Sequence, residues 1–241
     1  MITLFTDFGW QGPYVGQMKL ALQHYAPGRA VVDLMHDAPA LNINASAYLL
    51  AAVTAALPRG SVCCAVIDPG VGHHARPPVI LRARDCWFVG PGNGLFVPLA
   101  LDDPDSRWYQ IHWRPAEGLS NSFHGRDLFA PVAALLALGE PIESLATPMT
   151  VETEGWGRDL AEVIYIDHYG NCMTGLGAAG FMSEQVFTFG QLPIRYAPTF
   201  AYALAGQPFW YENSQGLIEI AGNQFNVAQR LGISIGDKIS F

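Results

Sequence analysis

Four residues carry much of the chemistry this sequence offers: Asp7, Asp68, Arg76 and His124. The stretch VIDPGVGHHAR, Val66 to Arg76, takes an apolar run into an aspartate. A loop too short for a helix then leads to two histidines and an arginine. ITLFTDF, Ile2 to Phe8, likewise reads as a short buried strand ending at Asp7. A carboxylate closing a buried strand can cap the next loop or helix. It can also face a ligand, because open parallel sheets bind at the carboxyl ends of their strands. Two such ends with nearby glycines, Gly9 and Gly70, favour a site, and both aspartates should face one crevice.

The loop Gly9-Trp10-Gln11-Gly12 is no phosphate cradle, and no G-x-G-x-x-G or G-x-x-x-x-G-K-[ST] cradle is expected anywhere in the chain. A nucleoside bound there would lack a pyrophosphate, and a strand-end carboxylate would accept hydrogen bonds from both ribose hydroxyls. His124, in Ser122-Phe-His-Gly-Arg-Asp127, falls at or just before a helix start. The helix dipole there disfavours an imidazolium, so a neutral ring able to accept a proton or orient a water is expected. A cap or surface histidine is the alternative. His73 and His74 are consecutive, and without an H-x-x-x-H or C-x-x-C pattern no metal site is expected. Arg126-Asp127 reads as a local ion pair, worth little if exposed. His24, His36, His112 and His168 show no distinctive pattern. Further on, Ile166-Asp-His-Tyr-Gly-Asn171 and Asn213-Ser-Gln-Gly216 are tight polar turns, either ordinary hairpin turns or half of a site.

The elements that must position these residues follow from the pattern. Residues 2–8, 30–35 and 61–67 read as buried strands, separated by helices at 14–25 and 44–57 that stop at Pro27-Gly28 and Pro58. Such an order points to a parallel sheet covered on both faces. Further strands are expected at 78–84, 86–89 and 108–112, with a helix over 124–138 closed by Gly139. The polar, aperiodic stretch Thr147–Arg158 reads as a linker. Beyond it, short strands at 161–166, 185–189, 192–197, 209–212, 216–220 and 238–241, with one helix over 226–231, describe a small β-rich domain. The expected division is 1–150, an N-terminal α/β domain, and 158–241, a C-terminal β-rich domain.

Of 241 residues, half are hydrophobic and only 14% charged, so a large core is expected. The net charge of -8 argues against nucleic acid or an anionic membrane as partner. Cys63, Cys64, Cys86 and Cys172 read as buried thiols of a reducing cytoplasm. No signal peptide is expected at the N-terminus, and the longest uncharged helical run, Ala45 to Leu57, is too short for a bilayer.

Thr6-Asp7-Phe8-Gly9, Tyr14-Val-Gly-Gln-Met-Lys19, Asp68-Pro-Gly-Val-Gly72 with Arg76, and Pro91-Gly-Asn-Gly94 occur in order. Phe123-His-Gly-Arg-Asp127, Asp167-His-Tyr-Gly-Asn171, and Asn213-Ser214 with Glu219-Ile-Ala-Gly-Asn223 follow them. In this the chain closely resembles the S-adenosyl-L-methionine hydroxide adenosyltransferases (SAM hydrolases), relatives of the fluorinase and chlorinase. The resemblance runs from about Ile2 to the C-terminus. It implies hydrolysis of S-adenosyl-L-methionine (SAM) to adenosine and L-methionine, with SAM as substrate and no cofactor. It also implies a Rossmann-like, mainly parallel N-terminal α/β domain and a C-terminal β-barrel-like domain. A cytoplasmic homotrimer with sites at its subunit interfaces goes with it.

By the same resemblance, Asp68, Arg76 and His124 form the trio that holds the nucleophilic water, and Asp7 holds the ribose. Phe8, Asp167, Asn171, Ser214 and Glu219 complete the substrate contacts, with Asn171 at the adenine and Asp167 and Ser214 at the methionine end. Three positions depart from the pattern. Gly12 stands where relatives often carry Asp, Gly92 replaces the Asp of P-D-N-G, and Gln215 stands where the halogenases carry Arg. A halogenase is disfavoured because the Asp68 carboxylate would repel a halide. A non-catalytic nucleoside-binding protein is the alternative of another class, and chromatography for adenosine after incubation with SAM separates it.

Overall fold

A computed structural model describes residues 1–72 and 76–241. The chain divides into two compact units, Met1–Leu50 with Ala56–Trp156, and Gly157–Phe241 with Ala51–Ala55. In the first, β1 (Ile2–Thr6), β2 (Val31–Met35), β3 (Val62–Val66), β4 (Pro78–Ala83), β5 (Cys86–Pro91), β6 (Arg107–Ile111) and β7 (Ala146–Met149) form one sheet. Its order is β2-β1-β3-β5-β4-β6-β7. The helices are α1 (Tyr14–Tyr25), α2 (Ile43–Val53), α3 (Val97–Asp102), α4 (Ala130–Leu138) and α5 (Ile142–Leu145).

Every residue of β1 and β3 is buried, the two threonines of β1 included, so neither strand shows a polar face. Leu4, Cys64 and Val66 pack with Met18 and Leu22 of α1 and with Val132 and Ala133 of α4. Phe5, Cys63 and Ala65, on the alternate face, are equally buried. The four cysteines are buried free thiols, and burial pushes the Cys63 thiol up to about 12.

The expected mainly parallel sheet holds for only half of it. β2, β1, β3 and β5 run parallel, but β4, β6 and β7 join through antiparallel ladders. For β4 the cause is local: Arg84 and Asp85 both take positive φ (52° and 55°) and turn β4 straight back into β5. A two-residue turn of this hand makes a hairpin and leaves no room for a crossover helix. The expected linker is also shortened at its start, because β7 occupies Ala146–Met149 and pairs with β6.

In the second unit β8 (Leu160–Ile166), β9 (Cys172–Gly177), β10 (Phe187–Phe189), β11 (Leu192–Tyr196), β12 (Pro208–Glu212) and β13 (Leu217–Gly222) form a sheet of order β10-β11-β12-β13-β9-β8. α6 (Val227–Leu231) follows Asn226, whose side chain accepts from Gln229 N. The sheet is curled into a half-barrel, and the C-terminal tail touches both edge strands, Lys238 opposite Glu162 of β8 and Ser240 opposite Thr188 of β10. Those are single bridges, so the strand expected at 238–241 is not formed. β9 escaped the sequence pattern because Thr174, Gly175 and Gly177 interrupt its apolar alternation. Against the expectation of no such motif, Gly175-Leu-Gly-Ala-Ala-Gly180 does have the G-x-G-x-x-G spacing. It leads from an antiparallel strand into a three-residue 3₁₀ turn, so it presents no helix N-terminus to a phosphate. Among the described residues no helix is long and apolar enough to cross a membrane.

Candidate active site

β1 and β3 are parallel neighbours with Thr6 opposite Val66, so Asp7 and Asp68 emerge at the same end of the sheet. They line one cavity of about 610 Å³ together with Phe8, Tyr14, Phe123 and His124. The three aromatic rings meet edge to face, with centroids 5.4–6.0 Å apart, and give the cavity an apolar wall. The Asp7 carboxylate accepts a hydrogen bond from Leu41 N at 3.0 Å.

His124 is placed by a single π-helical turn, Gly125–Phe129, that leads into α4. Phe123 O accepts from both Arg126 N and Asp127 N at 3.2 Å. Pro131, near the start of α4, has no N–H to give to the carbonyl of Asp127, which favours the wider turn. Asp127 is gripped by Arg126 through two bonds, Nε at 2.5 Å and Nη2 at 3.0 Å, and accepts from Ser120 N at 2.9 Å. The Arg126 guanidinium holds the Asp127 carboxyl below its ordinary range. Of the pair, Arg126 lines the aromatic cavity.

Asp68 and His124 also line a second cavity, of about 350 Å³, with Arg76, Gln110, Arg114 and Asn121. The Asp68–His124 pair is therefore the partition between an aromatic cavity and a cationic one. Gly70 makes that geometry possible: a Cβ there would lie 3.1 Å from Arg76 Nη1 and 3.9 Å from Asp68 Oδ1. Burial raises the Asp68 carboxyl above its ordinary value. Gly70 N–H, His124 and Arg76 work in the opposite direction, and Asp7 adds to the rise. The site thus holds a carboxylate more basic than usual beside a histidine.

The second unit has its own cavity of about 570 Å³, lined by Asp167, Tyr169, Asn171, Phe200, Tyr211 and Phe225. Asp167 clamps its turn, accepting from Tyr169 N (2.9 Å), Asn171 N (2.8 Å) and Asn171 Nδ2 (2.9 Å). Ser214 sits exposed in the turn between β12 and β13. Glu219 is only 3% exposed; it accepts from the Tyr211 hydroxyl and from Asn213 Nδ2 at 2.9 Å. Burial, with Glu219 beside it, pushes the Tyr211 hydroxyl far up. Of the residues expected from sequence, Asp7, Phe8, Asp68 and His124 thus share one cavity, Asp68, Arg76 and His124 another, and Asp167 with Asn171 a third. Ser214 and Glu219 line none of these. Glu219 stands beneath Tyr211 instead.

Tyr14, Phe123, Phe200, Tyr211 and Phe225 were not legible as site residues, because an aromatic in an apolar sequence reads as core. His73 and His74, considered as metal ligands, lie outside the described residues, and among those described no group of three or more His, Cys, Asp or Glu side chains is arranged to hold a metal.

Comparison with known proteins agrees with the seven motifs. Residues 2–146 match the model of the SAM hydroxide adenosyltransferase N-terminal domain, and residues 161–240 that of its C-terminal domain. A Thermus thermophilus protein named (R)-S-adenosyl-L-methionine hydrolase is 38% identical, over 98% of this chain and 96% of its own length. A Salinispora arenicola protein of the same name is 34% identical over 99% and 96%. Among solved structures, an uncharacterized conserved protein from Thermotoga maritima superposes with a TM-score of 0.90 at 27% identity, covering 100% and 99% of the two chains. A conserved hypothetical protein from Thermus thermophilus gives 0.80 at 35% identity, over 99% and 97%.

Proposed function

The chain belongs to the SAM hydroxide adenosyltransferase family, and on that footing we propose that it hydrolyses (R)-S-adenosyl-L-methionine at the C5′–S bond, giving adenosine and L-methionine. The observation that carries the reading is the partition: Asp68 and His124 stand between a nucleoside-sized aromatic cavity and the cavity that holds Arg76. A water held there is presented to whatever fills the aromatic side.

The chemistry asks little beyond placement. The sulfonium activates C5′, and methionine leaves as a neutral thioether, so the leaving group needs no Lewis acid or cofactor. The oxygen of water forms the new bond to C5′, the C–S electron pair returns to sulfur, and one proton is released. Holding water in line with the C–S bond supplies several kcal/mol of rate enhancement. Asp68, made more basic by burial, is well suited to take the proton, with His124 orienting the water and Arg76 favouring the ionised form of Asp68. Asp7 accepts from the ribose hydroxyls, Phe8 packs on the nucleoside, and Asn171 reads the adenine. Asp167 and Ser214 serve the methionine end, and Glu219 acts through Tyr211.

In this reading residues 1–150 form the domain that carries the nucleophile, its four parallel strands serving as a Rossmann-like platform. Residues 158–241 carry the other half of the substrate contacts. The working form is a cytoplasmic homotrimer with sites between subunits. Oxygen-18 water tests the chemistry: the label is expected in the 5′-hydroxyl of adenosine and absent from methionine. Unlabelled adenosine, or adenine as product, would sink attack of water at C5′.

A further inference from the structure

Behind Asp7 lies a polar chain, buried at Thr6 and His36, that no pattern in the sequence marks. His36, fully buried just after β2, meets Thr6 Oγ1 through Nδ1 at 2.8 Å and Asp33 Oδ1 through Nε2 at 3.0 Å. Lys19 Nζ donates to the other oxygen, Asp33 Oδ2, at 2.6 Å. Thr6 Oγ1 in turn accepts from Phe8 N at 3.3 Å. Backbone bonds tie the same segments, Gly9 N donating to His36 O at 2.6 Å and Ala38 N to Thr6 O at 3.2 Å.

The direction of this chain follows from donor and acceptor capacity. Asp33 as a carboxylate only accepts, so Lys19 and His36 Nε2–H donate to it. In the Nε2–H tautomer, Nδ1 accepts the Thr6 hydroxyl proton, leaving Thr6 Oγ1 to accept from Phe8 N–H. Burial works to raise the Asp33 carboxyl, but the bonds from His36 and Lys19 outweigh it and hold the group below its ordinary value. The polarity thus runs unbroken from Lys19 to the backbone on the far side of Asp7.

A bulge builds this arrangement. β1 and β2 pair Leu4 with Asp33 but Phe5 with Met35, so β2 carries one extra residue. Without it Thr6 would stand opposite Met35, and Asp33 and His36, three apart, would point to opposite faces. The extra residue turns His36 to the face of Thr6 and Asp33. Bulges at sheet edges re-aim side chains in this way, and β2 is an edge strand.

We propose that His36, braced by Asp33 and Lys19, is a positioning residue that fixes the Thr6-Asp7-Phe8 turn and so sets Asp7 for the ribose. The ribose step rests on the proposed function; the ordering of the turn does not. Thr6→Val keeps the shape and removes the hydroxyl, while Thr6→Ser keeps the hydroxyl. Thr6→Val is expected to raise KM for SAM and weaken adenosine binding by about tenfold (~1.4 kcal/mol), with kcat changed by less than about threefold. Thr6→Ser should stay near the parent. His36→Gln, which can still reach Asp33 but not Thr6, should behave like Thr6→Val.

A double-mutant cycle with Asp7→Ala separates this role from simple stabilisation. If Thr6 acts through Asp7, the Thr6→Val effect on adenosine binding is largely lost once Asp7 is gone; an equal effect in both backgrounds overturns the proposal. Amide hydrogen exchange of residues 7–12 gives a readout independent of substrate. Faster exchange in Thr6→Val than in Thr6→Ser supports the ordering role, and unchanged exchange overturns it even for a protein that fails to turn over SAM. Normal adenosine binding in both Thr6→Val and His36→Gln, with only a lower Tm, reduces the chain to a structural one and leaves SAM hydrolysis untouched.

Discussion

Asp68 is pulled two ways: burial disfavours its charge, while Gly70 N–H, His124 and Arg76 favour it. If the ionised form holds the water, activity rises with pH through the folded-state pKa of Asp68, above the ordinary 3.8. Arg76→Gln removes a cation that lowers this pKa. The acid limb of kcat/KM should therefore move to higher pH, as a pH–rate profile would show; a limb that stays put or moves down would separate Arg76 from Asp68. A raised folded pKa also sets the sign for stability. The contribution is fully present below the unfolded value and is lost as pH rises through the folded one. Asp68→Asn should thus raise Tm at neutral pH, a gain that disappears in acid, while hydrolysis is lost. Asp68→Ala and His124→Ala should likewise abolish hydrolysis, leaving adenosine affinity by calorimetry within about tenfold (~1.4 kcal/mol). Asp7→Ala should do the reverse, raising KM about ten- to a hundredfold through the lost ribose contact.

At the scale of elements, two glycines decide whether the loops can deliver these residues. Gly70 lies under Arg76, so Gly70→Ala places a methyl 3.1 Å from Nη1 and should cut kcat while Tm stays near the parent. Unchanged kcat would mean that Arg76 can move aside without cost. Gly170 has φ +86°, and a Cβ there would meet the Asn226 side chain at 2.1 Å. Asn226 caps α6, so Gly170→Ala adds backbone strain to a disturbed cap. A loss of about 1–3 kcal/mol is expected in chemical denaturation. The π-turn works the same way at Pro131: Pro131→Ala restores an N–H and should let the first turn of α4 tighten. These loops, unlike the strands they follow, depend on single residues.

For the whole molecule, the family resemblance implies that a site takes its first half from one subunit and its second from a neighbour. Asp68→Ala and Asn171→Ala damage different halves. Co-expressed, they should regenerate some intact sites, so the mixed oligomer should hydrolyse SAM although neither variant alone does. A site confined to one chain gives no recovery. Light scattering is expected to give a trimer, and a monomer that still binds adenosine would refute the shared site.

The sequence by itself determined a good deal at this scale. Runs without a charge that end in Asp7 and Asp68 specified two buried strands, because burial on both faces excludes a charged face. The order of seven short motifs was enough to identify the family. What tertiary structure alone decided were relations between distant segments. The β4–β5 hairpin, which breaks the parallel run of the first sheet, hung on two residues at positive φ, Arg84 and Asp85, which no hydrophobic pattern encodes. The shared wall made by Asp68 and His124 requires β3 and α4 to meet, a contact 56 residues apart in sequence. His36 became legible only when a bulge in β2 turned it toward Thr6, since periodicity assigns a face to each residue and a bulge reverses it.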